Sequence, residues 1–357
     1  MLIPYVNARQ AARRRRAQGG REPGDGAVSA RTALEIIDPG LQTTVQAWPG
    51  RQGLTSLGYF PAGPMDHLSL RAANGLVGNP AGAPALEVPK IGISVAFLID
   101  TQIAVAAPDG AAVLLNDVPA AAWETVDVRA GDVLRTIGAG GPGFRLYLAV
   151  RGGIAVPEVY GSAATSLVAG IGGVEGRALV RGDLLAINGA APIPRRRLPE
   201  AMRPRFGTEW EIEIIQGPHA CPDYLTPDDW AELLGRQWRV DLNSDRIATR
   251  LNPYRFTWAR PDGGSAGGHP SNVLDDAYPV GGVLANGDVL TILGMDGNTS
   301  GGFAVVATVP HCALWKVGQM RPGRDTIRFR EVDYEEALAL NQRVDFTVDP
   351  RRTVRVQ

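Results

Sequence analysis

The feature that most constrains this chain is its punctuation. Forty-four glycines and 27 prolines are spread through 357 residues, and the apolar runs between them are short. Leu34–Ile37, Ile91–Leu98, Ile103–Ala107, Ala111–Leu115, Val133–Ile137 and Phe144–Val150 read as strands, separated by the Gly, Pro, Asn and Asp that tight turns require. Strands are expected to resume at Trp210–Gln216, Gln237–Leu242, Val289–Leu293, Phe303–Ala307 and Thr326–Arg330. Few segments carry a helical period. One opens at Pro64, with Asp66 in its first turn and Leu68, Ala72 and Leu76 on one face, and Gly78-Asn79-Pro80 stops it. A second has Thr226 as N-cap, Pro227 at its first position and Asp228 and Asp229 near the positive dipole end. A third runs from Tyr334 to about Arg343. This pattern is mainly β and does not fit alternating βαβ units.

A single core stops growing near about 250–300 residues, so the length argues for two domains. The Pro- and Arg-rich stretch around 191–207 reads as the linker between lobes at 32–190 and 208–332, with 333–357 as a C-terminal helix and tail. Residues 1–31 hold seven arginines, two acids and no apolar period, and read as a disordered head.

Charge and motifs exclude several classes. A formal charge of −1 argues against bulk binding of nucleic acid. No apolar run approaches the roughly 18–20 residues of a membrane span. Two cysteines cannot make a disulfide framework and point to a reducing, cytoplasmic setting. Gly138, Gly140 and Gly143 match a dinucleotide-binding spacing, but Pro142 sits inside it and a strand follows. There is no Walker loop, nucleophile elbow or zinc spacing. Of 36 cationic side chains only Lys90 and Lys316 are lysine. Lysine is a different donor from arginine, and both positions draw notice for that reason.

Four segments are dense in glycine and polar groups. They are Thr43–Arg51 with Ala62–Asp66; Arg151–Ile154 with Gly170–Arg177; Asn243–Arg246 with Arg250; and Gly267–Asn272, continuing through Asp296–Phe303 to Trp315–Gln319. Glycine lets a backbone approach a ligand and present its N–H groups. Together these motifs are similar to the biotin-dependent carboxyltransferase domain family labelled "allophanate hydrolase subunit 2". That family includes the carboxyltransferase domain of urea amidolyase (urea carboxylase) and the 5-oxoprolinase C-subunit. The resemblance runs from about Leu34 to Phe329 and leans to urea carboxylase in the second half, through Gly268-His269-Pro270-Ser271-Asn272-Val273 and Leu314-Trp315-Lys316-Val317-Gly318-Gln319.

The resemblance implies two cyclophilin-like β-barrel lobes with a few short helices. It implies a carboxyl group moved from carboxybiotin to urea, guanidine or a related amide. Biotin would ride on a separate carrier, ATP would be used by a partner biotin carboxylase, and a subunit 1-type sister protein would complete the unit. A role like that of the 5-oxoprolinase C-subunit and a non-catalytic regulatory role are the alternatives. On this reading the acceptor lies among His269, Ser271, Asn272, Asp296 and Lys316. Asp296 takes its N–H groups, His269 and Asn272 orient its carbonyl, and Lys316 neutralises the transferring carboxylate. Gln319 supports them, and Arg246 and Arg250 bind a carboxylate or form a structural ion pair. Gly301 and Gly302 allow close approach, while Pro64, Met65 and Asp66 border the biotin path unless Asp66 caps its helix. Loss of transfer in Lys316→Ala is the expectation for the lysine. The chain departs from the family at Ala47, Ala62, Ala163, Ala164, Val174 and Ala248, mostly by losing polar groups.

Overall fold

The computed structural model describes residues 30–356 apart from 139. The Arg-rich head therefore lies outside the described residues up to 29, and Arg31 at its expected end already begins a strand, Arg31–Asp38. The described chain is mainly β with four α-helices: α1 (His67–Leu76), α2 (Pro227–Gly235), α3 (His311–Gln319) and α4 (Tyr334–Val348). No described helix is long and apolar enough to cross a membrane.

The first half forms two sheets. Six strands run in the order Leu184–Ile187, Arg31–Asp38, Ser94–Phe97, Val133–Ile137, Ala112–Leu115 and Val118–Pro119. Five run in the order Thr44–Gln46, Ala85–Pro89, Arg145–Val150, Thr101–Ala106 and Thr125–Val128. Sequence sets their exposure. Val133–Ile137 alternates and buries one face, whereas the continuous run Arg145–Val150 is buried throughout. Leu34, Val45, Phe97, Ile103, Leu134 and Leu148 fill the space between the two sheets.

In the second half, the main path runs Trp238–Arg239, Thr326–Glu331, Glu209–Gln216, Ser300–Thr308, Gly282–Asn286, Val289–Leu293 and Ala248–Arg250. Asn272–Ala277 pairs with Ser300–Thr308 beside it. Every sheet is an open path from edge to edge, so the described residues show no closed barrel. The largest apolar cluster crosses between the halves, joining Leu70, Leu76 and Tyr147 to Trp210, Trp238 and Val306.

The helices correct the reading at three points. Pro64 lies outside α1, because Asp66 takes the N-cap and accepts from the Ser69 N–H. α4 continues five residues beyond Arg343 and ties back to α1 through Arg71–Asp345 at 2.8 Å. α3 is a helix the apolar pattern did not mark. By contrast α2 has the expected cap, a full Thr226/Asp229 capping box with Pro227 behind it. The segment read as a linker is partly structured: Leu198 is buried, and Arg196–Arg197 pairs with Val354–Arg355.

Candidate functional site

The polar motifs separate into three places. The first is a buried junction between the halves. Arg246 donates from Nη1 to Glu87 Oε1 (2.6 Å), from Nε to Asp296 Oδ2 (2.8 Å), and from Nη2 to the Gly63 carbonyl (2.8 Å) and Asp296 Oδ1 (3.2 Å). The other oxygen of Glu87 accepts from the Met65 N–H (2.8 Å) and the Tyr147 hydroxyl (2.7 Å), and that hydroxyl accepts from the Asp66 N–H (2.8 Å). Gln319 donates to Asp66 Oδ2 (2.7 Å) and to the Arg145 carbonyl (3.0 Å), while its carbonyl accepts from the N–H groups of Phe144 and Arg145. Arg145 also donates to the Gly318 carbonyl and lies 3.4 Å from Glu87. None of Asp66, Glu87, Arg145, Tyr147, Arg246, Asp296 and Gln319 is more than 5% exposed, so no substrate reaches them without opening the fold.

Electrostatics fit a lock. Burial alone would raise Glu87, but Arg246 and Arg145 outweigh it and hold its carboxyl below the usual range. Burial would lower Arg246, and Asp296 and Glu87 more than reverse that. Asp66 lacks a guanidinium partner, and burial pushes its carboxyl up to about 6 against its bonds to Ser69 and Gln319. These contacts correct one expectation, for Asp296, and decide between the alternatives left open for Arg246 and Asp66. Both Asp296 oxygens bond Arg246 and the residue is only 3% exposed, so they are out of reach of acceptor N–H groups. Arg246 is a structural ion-pair partner. Asp66 is a cap, the Met65 N–H is bonded to Glu87, and Pro64 joins it to Gly63, whose carbonyl accepts from Arg246.

The second place is the end of the strand pair Asn272–Ala277 and Ser300–Thr308, where Asn272 lies opposite Phe303. His269 Nδ1 accepts from the Ser271 N–H (3.1 Å) and lies 2.9 Å from its hydroxyl, which places the ring proton on Nε2. Ser271 is fully buried, and its hydroxyl oxygen accepts from the Gly287 N–H (3.1 Å). Trp258 packs edge-on to the imidazole at 5.5 Å. Nε2 stands 3.8 Å from Asp288 Oδ1, which itself has no hydrogen-bond partner among the described residues. Asn272 spends its amide N–H on the Gly267 carbonyl (3.1 Å), and its side-chain oxygen accepts no hydrogen bond among the described residues. The His269 side chain is about one-third exposed (36%), so this face holds uncommitted polar groups within reach of solvent. Gly301 and Gly302 have a packing reason: a Cβ at Gly301 would meet the Tyr278 ring at 2.9 Å, and one at Gly302 the Val273 carbonyl at 3.1 Å. Arg250 is exposed on Ala248–Arg250 and makes no ion pair among the described residues.

The third place holds Lys316, on α3. Its Nζ donates to both oxygens of Glu213 (2.7 and 2.8 Å) and to the Glu211 carbonyl (3.0 Å), using all three N–H groups. The sheet register measures its distance from His269. Asn272 lies opposite Phe303, and Ile215 opposite Thr308, with Glu213 two residues further on. At about 3.3 Å per residue, seven steps separate the two places by about 20 Å. A single acceptor pocket containing both Lys316 and His269 is therefore not formed. Lys90 is exposed.

Sequence reasoning did not single out Glu87, Arg145 or Glu213, whose partners are far away along the chain. It also treated the family departures one by one, whereas Ala47, Ala62, Ala163 and Ala164 form one buried apolar cluster. Arg51 lies against this cluster, 1% exposed, donating to the carbonyls of Ala164 (2.6 Å) and Val159 (3.1 Å). Its Nη1 and the side-chain oxygen of Gln46 have no hydrogen-bond partner among the described residues. Lost polar side chains and orphaned polar atoms thus occupy the same spot.

Known proteins share this fold. The family model described as carboxyltransferase domain, subdomain A and B, matches residues 57–331. The urea amidolyase of Lachancea kluyveri is 40% identical over 329 residues, 89% of this chain but 18% of that protein. The 5-oxoprolinase C-subunit of Haemophilus influenzae is 31% identical over 334 residues, 90% of this chain and 98% of its own length. The crystal structure of the Kluyveromyces lactis urea carboxylase superposes with a TM-score of 0.85 at 37% identity, covering 90% of this chain and 29% of that one. The chain thus spans under a third of the urea-processing relatives. Sequence and fold agree that it belongs to the family of carboxyltransferase domains with subdomains A and B.

Proposed function

We propose that this chain is the carboxyltransferase component of a biotin-dependent, urea carboxylase-like system, with urea, guanidine or a related amide as acceptor. The observation that carries the reading is the likeness to urea carboxylase, at TM-score 0.85 and 37% identity over 90% of the chain. The uncommitted groups of the His269 face add chemical support. A planar N–C(=O)–N unit offers N–H donors on one side and a carbonyl acceptor on the other. Asn272 has a free side-chain oxygen for the first, and His269 a free Nε2–H for the second. The same pair fits the ureido ring of biotin. Carboxybiotin, brought by a separate carrier and charged by a partner biotin carboxylase that spends the ATP, would supply the carboxyl group.

Within the chain, His269 and Asn272 would orient the acceptor, and Ser271 would fix the imidazole. Asp288, beside Nε2, would receive an acceptor proton or steady the ring. The face is open on one side, so a sister protein would be needed to exclude water, which would otherwise consume the carboxyl group.

The test is ¹⁴C-bicarbonate transfer in the system reassembled with its carrier, biotin carboxylase and sister protein. Urea, guanidine and 5-oxoproline are offered in parallel. Transfer to urea or guanidine should fall about 10- to 100-fold in Asn272→Ala, the worth of one or two hydrogen bonds to a bound substrate. ATP-dependent ring opening of 5-oxoproline would move the chain to the 5-oxoprolinase role. Tight binding of the sister protein with no transfer to any acceptor would make it a regulatory component.

A further inference from the structure

A cleft of about 530 Å³ opens on the α3 side of the molecule, about 20 Å along the sheet from the His269 face. Its apolar wall is Leu68 from α1, Met202, Trp315 from α3, and Leu340, Val344 and Phe346 from α4. The wall is pre-formed. Trp315 is wedged edge-on between Trp210 (6.2 Å) and Phe206 (6.5 Å), and Val344 belongs to the main core. Phe346 remains half exposed at the rim, under the Arg352 guanidinium at 3.8 Å.

The charged lining is one-sided. Arg203, Arg205, Lys316 and Arg343 face a single carboxylate, Glu213. That carboxylate is already shared between Lys316 at 2.7 Å and Arg330 at 3.3 Å, so it cannot neutralise the arginines as well. Arg203 is held by the Leu198 carbonyl (3.1 Å), and Arg205 and Arg343 make no side-chain hydrogen bond or ion pair among the described residues. Two forked cations, Arg205 and Arg343, thus stand at the rim of an apolar cleft without a counter-ion among the described residues.

We infer that this cleft binds a small organic anion, a flat apolar body of one or two rings carrying a carboxylate or a phosphate. The volume lies within the roughly 300–1,000 Å³ of small-molecule sites. Trp315 and Phe346 supply flat surfaces for the body. Arg205 and Arg343 supply forked donors, which match the paired oxygens of either anion.

Calorimetric titration of the full chain tests it with three probes of one shape: naphthalene-2-carboxylate, 2-naphthyl phosphate and the neutral 2-naphthalenemethanol. One anion should saturate a single site with Kd of about 100 μM or tighter, and the alcohol should bind at least about tenfold more weakly. Which anion binds better identifies the natural head group. The double variant Arg205→Gln/Arg343→Gln should remove that preference while leaving the weak affinity for the alcohol. Trp315→Leu should weaken all three. Equal binding of anions and alcohol, or anion binding unchanged in the double glutamine variant, overturns the inference, as does saturation only in the tens of millimolar.

Discussion

Two regions look alike on paper and differ in the fold. Apart from Glu87, the junction of Asp66, Glu87, Arg246, Asp296 and Gln319 and the face of His269, Ser271 and Asn272 both come from the polar, glycine-rich motifs of the sequence. In the junction every carboxylate and guanidinium has a bonded partner and is sealed from water, the Arg145 Nε alone lacking a hydrogen bond, 3.4 Å from Glu87. On the face, an imidazole nitrogen and an amide oxygen are left without a bond among the described residues. Polar density in a motif therefore has two meanings. A sealed, satisfied network sets how the halves meet, and an unsatisfied, reachable one has something left to offer a ligand.

The contrast is broken most forcefully at Arg246. Arg246→Met leaves Glu87 and Asp296 buried without their cation, and unfolding in urea should show a loss of about 3–5 kcal/mol. A loss below about 1 kcal/mol would mean the junction is no lock.

A pH experiment sharpens the same contrast through neighbouring residues. Burial pushes Asp66 up to about 6. His67 lies flat against His311, ring centres 4.2 Å apart, and burial followed by that neighbour brings it down to about 3. The signs are opposite. Between pH about 4 and 6 the folded state holds a proton on Asp66 that the unfolded chain has lost, so this group stabilises the fold as pH falls. Over the same range the unfolded chain protonates His67 and the fold does not, so this group destabilises the fold as pH falls. The two largely cancel. Burial lowers His219 as well, so the readout is the difference from the parent chain: as pH is lowered from 6 to 4, His67→Gln should gain on the order of 3 kcal/mol relative to it. Asp66→Asn keeps a capping side chain and should show the reverse slope. Parallel melting profiles for the two variants would contradict both assignments.

What was legible follows from range. Alternation and breakers act within ten residues, so about half of the strands and the cap of α2 could be placed from sequence, while Ala85–Pro89 and Gly282–Asn286, buried without alternation, could not. α3 lacked those signals: Pro310 offers no side-chain cap, and Gly318 reads as a breaker within it. The partners of the junction are beyond any local reading, with Arg246 and Glu87 159 residues apart and Gln319 and Asp66 253 apart. Lys316 stands out in the sequence as unusual, but a motif cannot show that Glu213 already occupies it. The alanine cluster shows the converse, since four separate departures become one event only when 47, 62, 163 and 164 meet.

Glycine substitutions separate the regions on a smaller scale. At Gly318 a Cβ would sit 2.2 Å from the Met65 carbonyl oxygen and 2.9 Å from the Asp66 N, where α3 crosses the start of α1. Gly318→Ala must push the two helices apart and should cost about 1–3 kcal/mol. At Gly302 the nearest atom is the Val273 carbonyl oxygen at 3.1 Å, on a strand pair open at its side, and Gly302→Ala should cost less than about 1 kcal/mol. Asn272→Ala closes the series. It removes one bond to the Gly267 carbonyl from a half-buried loop and should leave stability within about 0.5 kcal/mol. The same variant is expected to lose most carboxyl transfer to the acceptor. A side chain that matters little to the fold and much to the reaction is what an uncommitted oxygen should be. If Asn272→Ala instead unfolds early and its residual activity tracks the folded fraction, the face is structural, and the distinction between the two regions collapses.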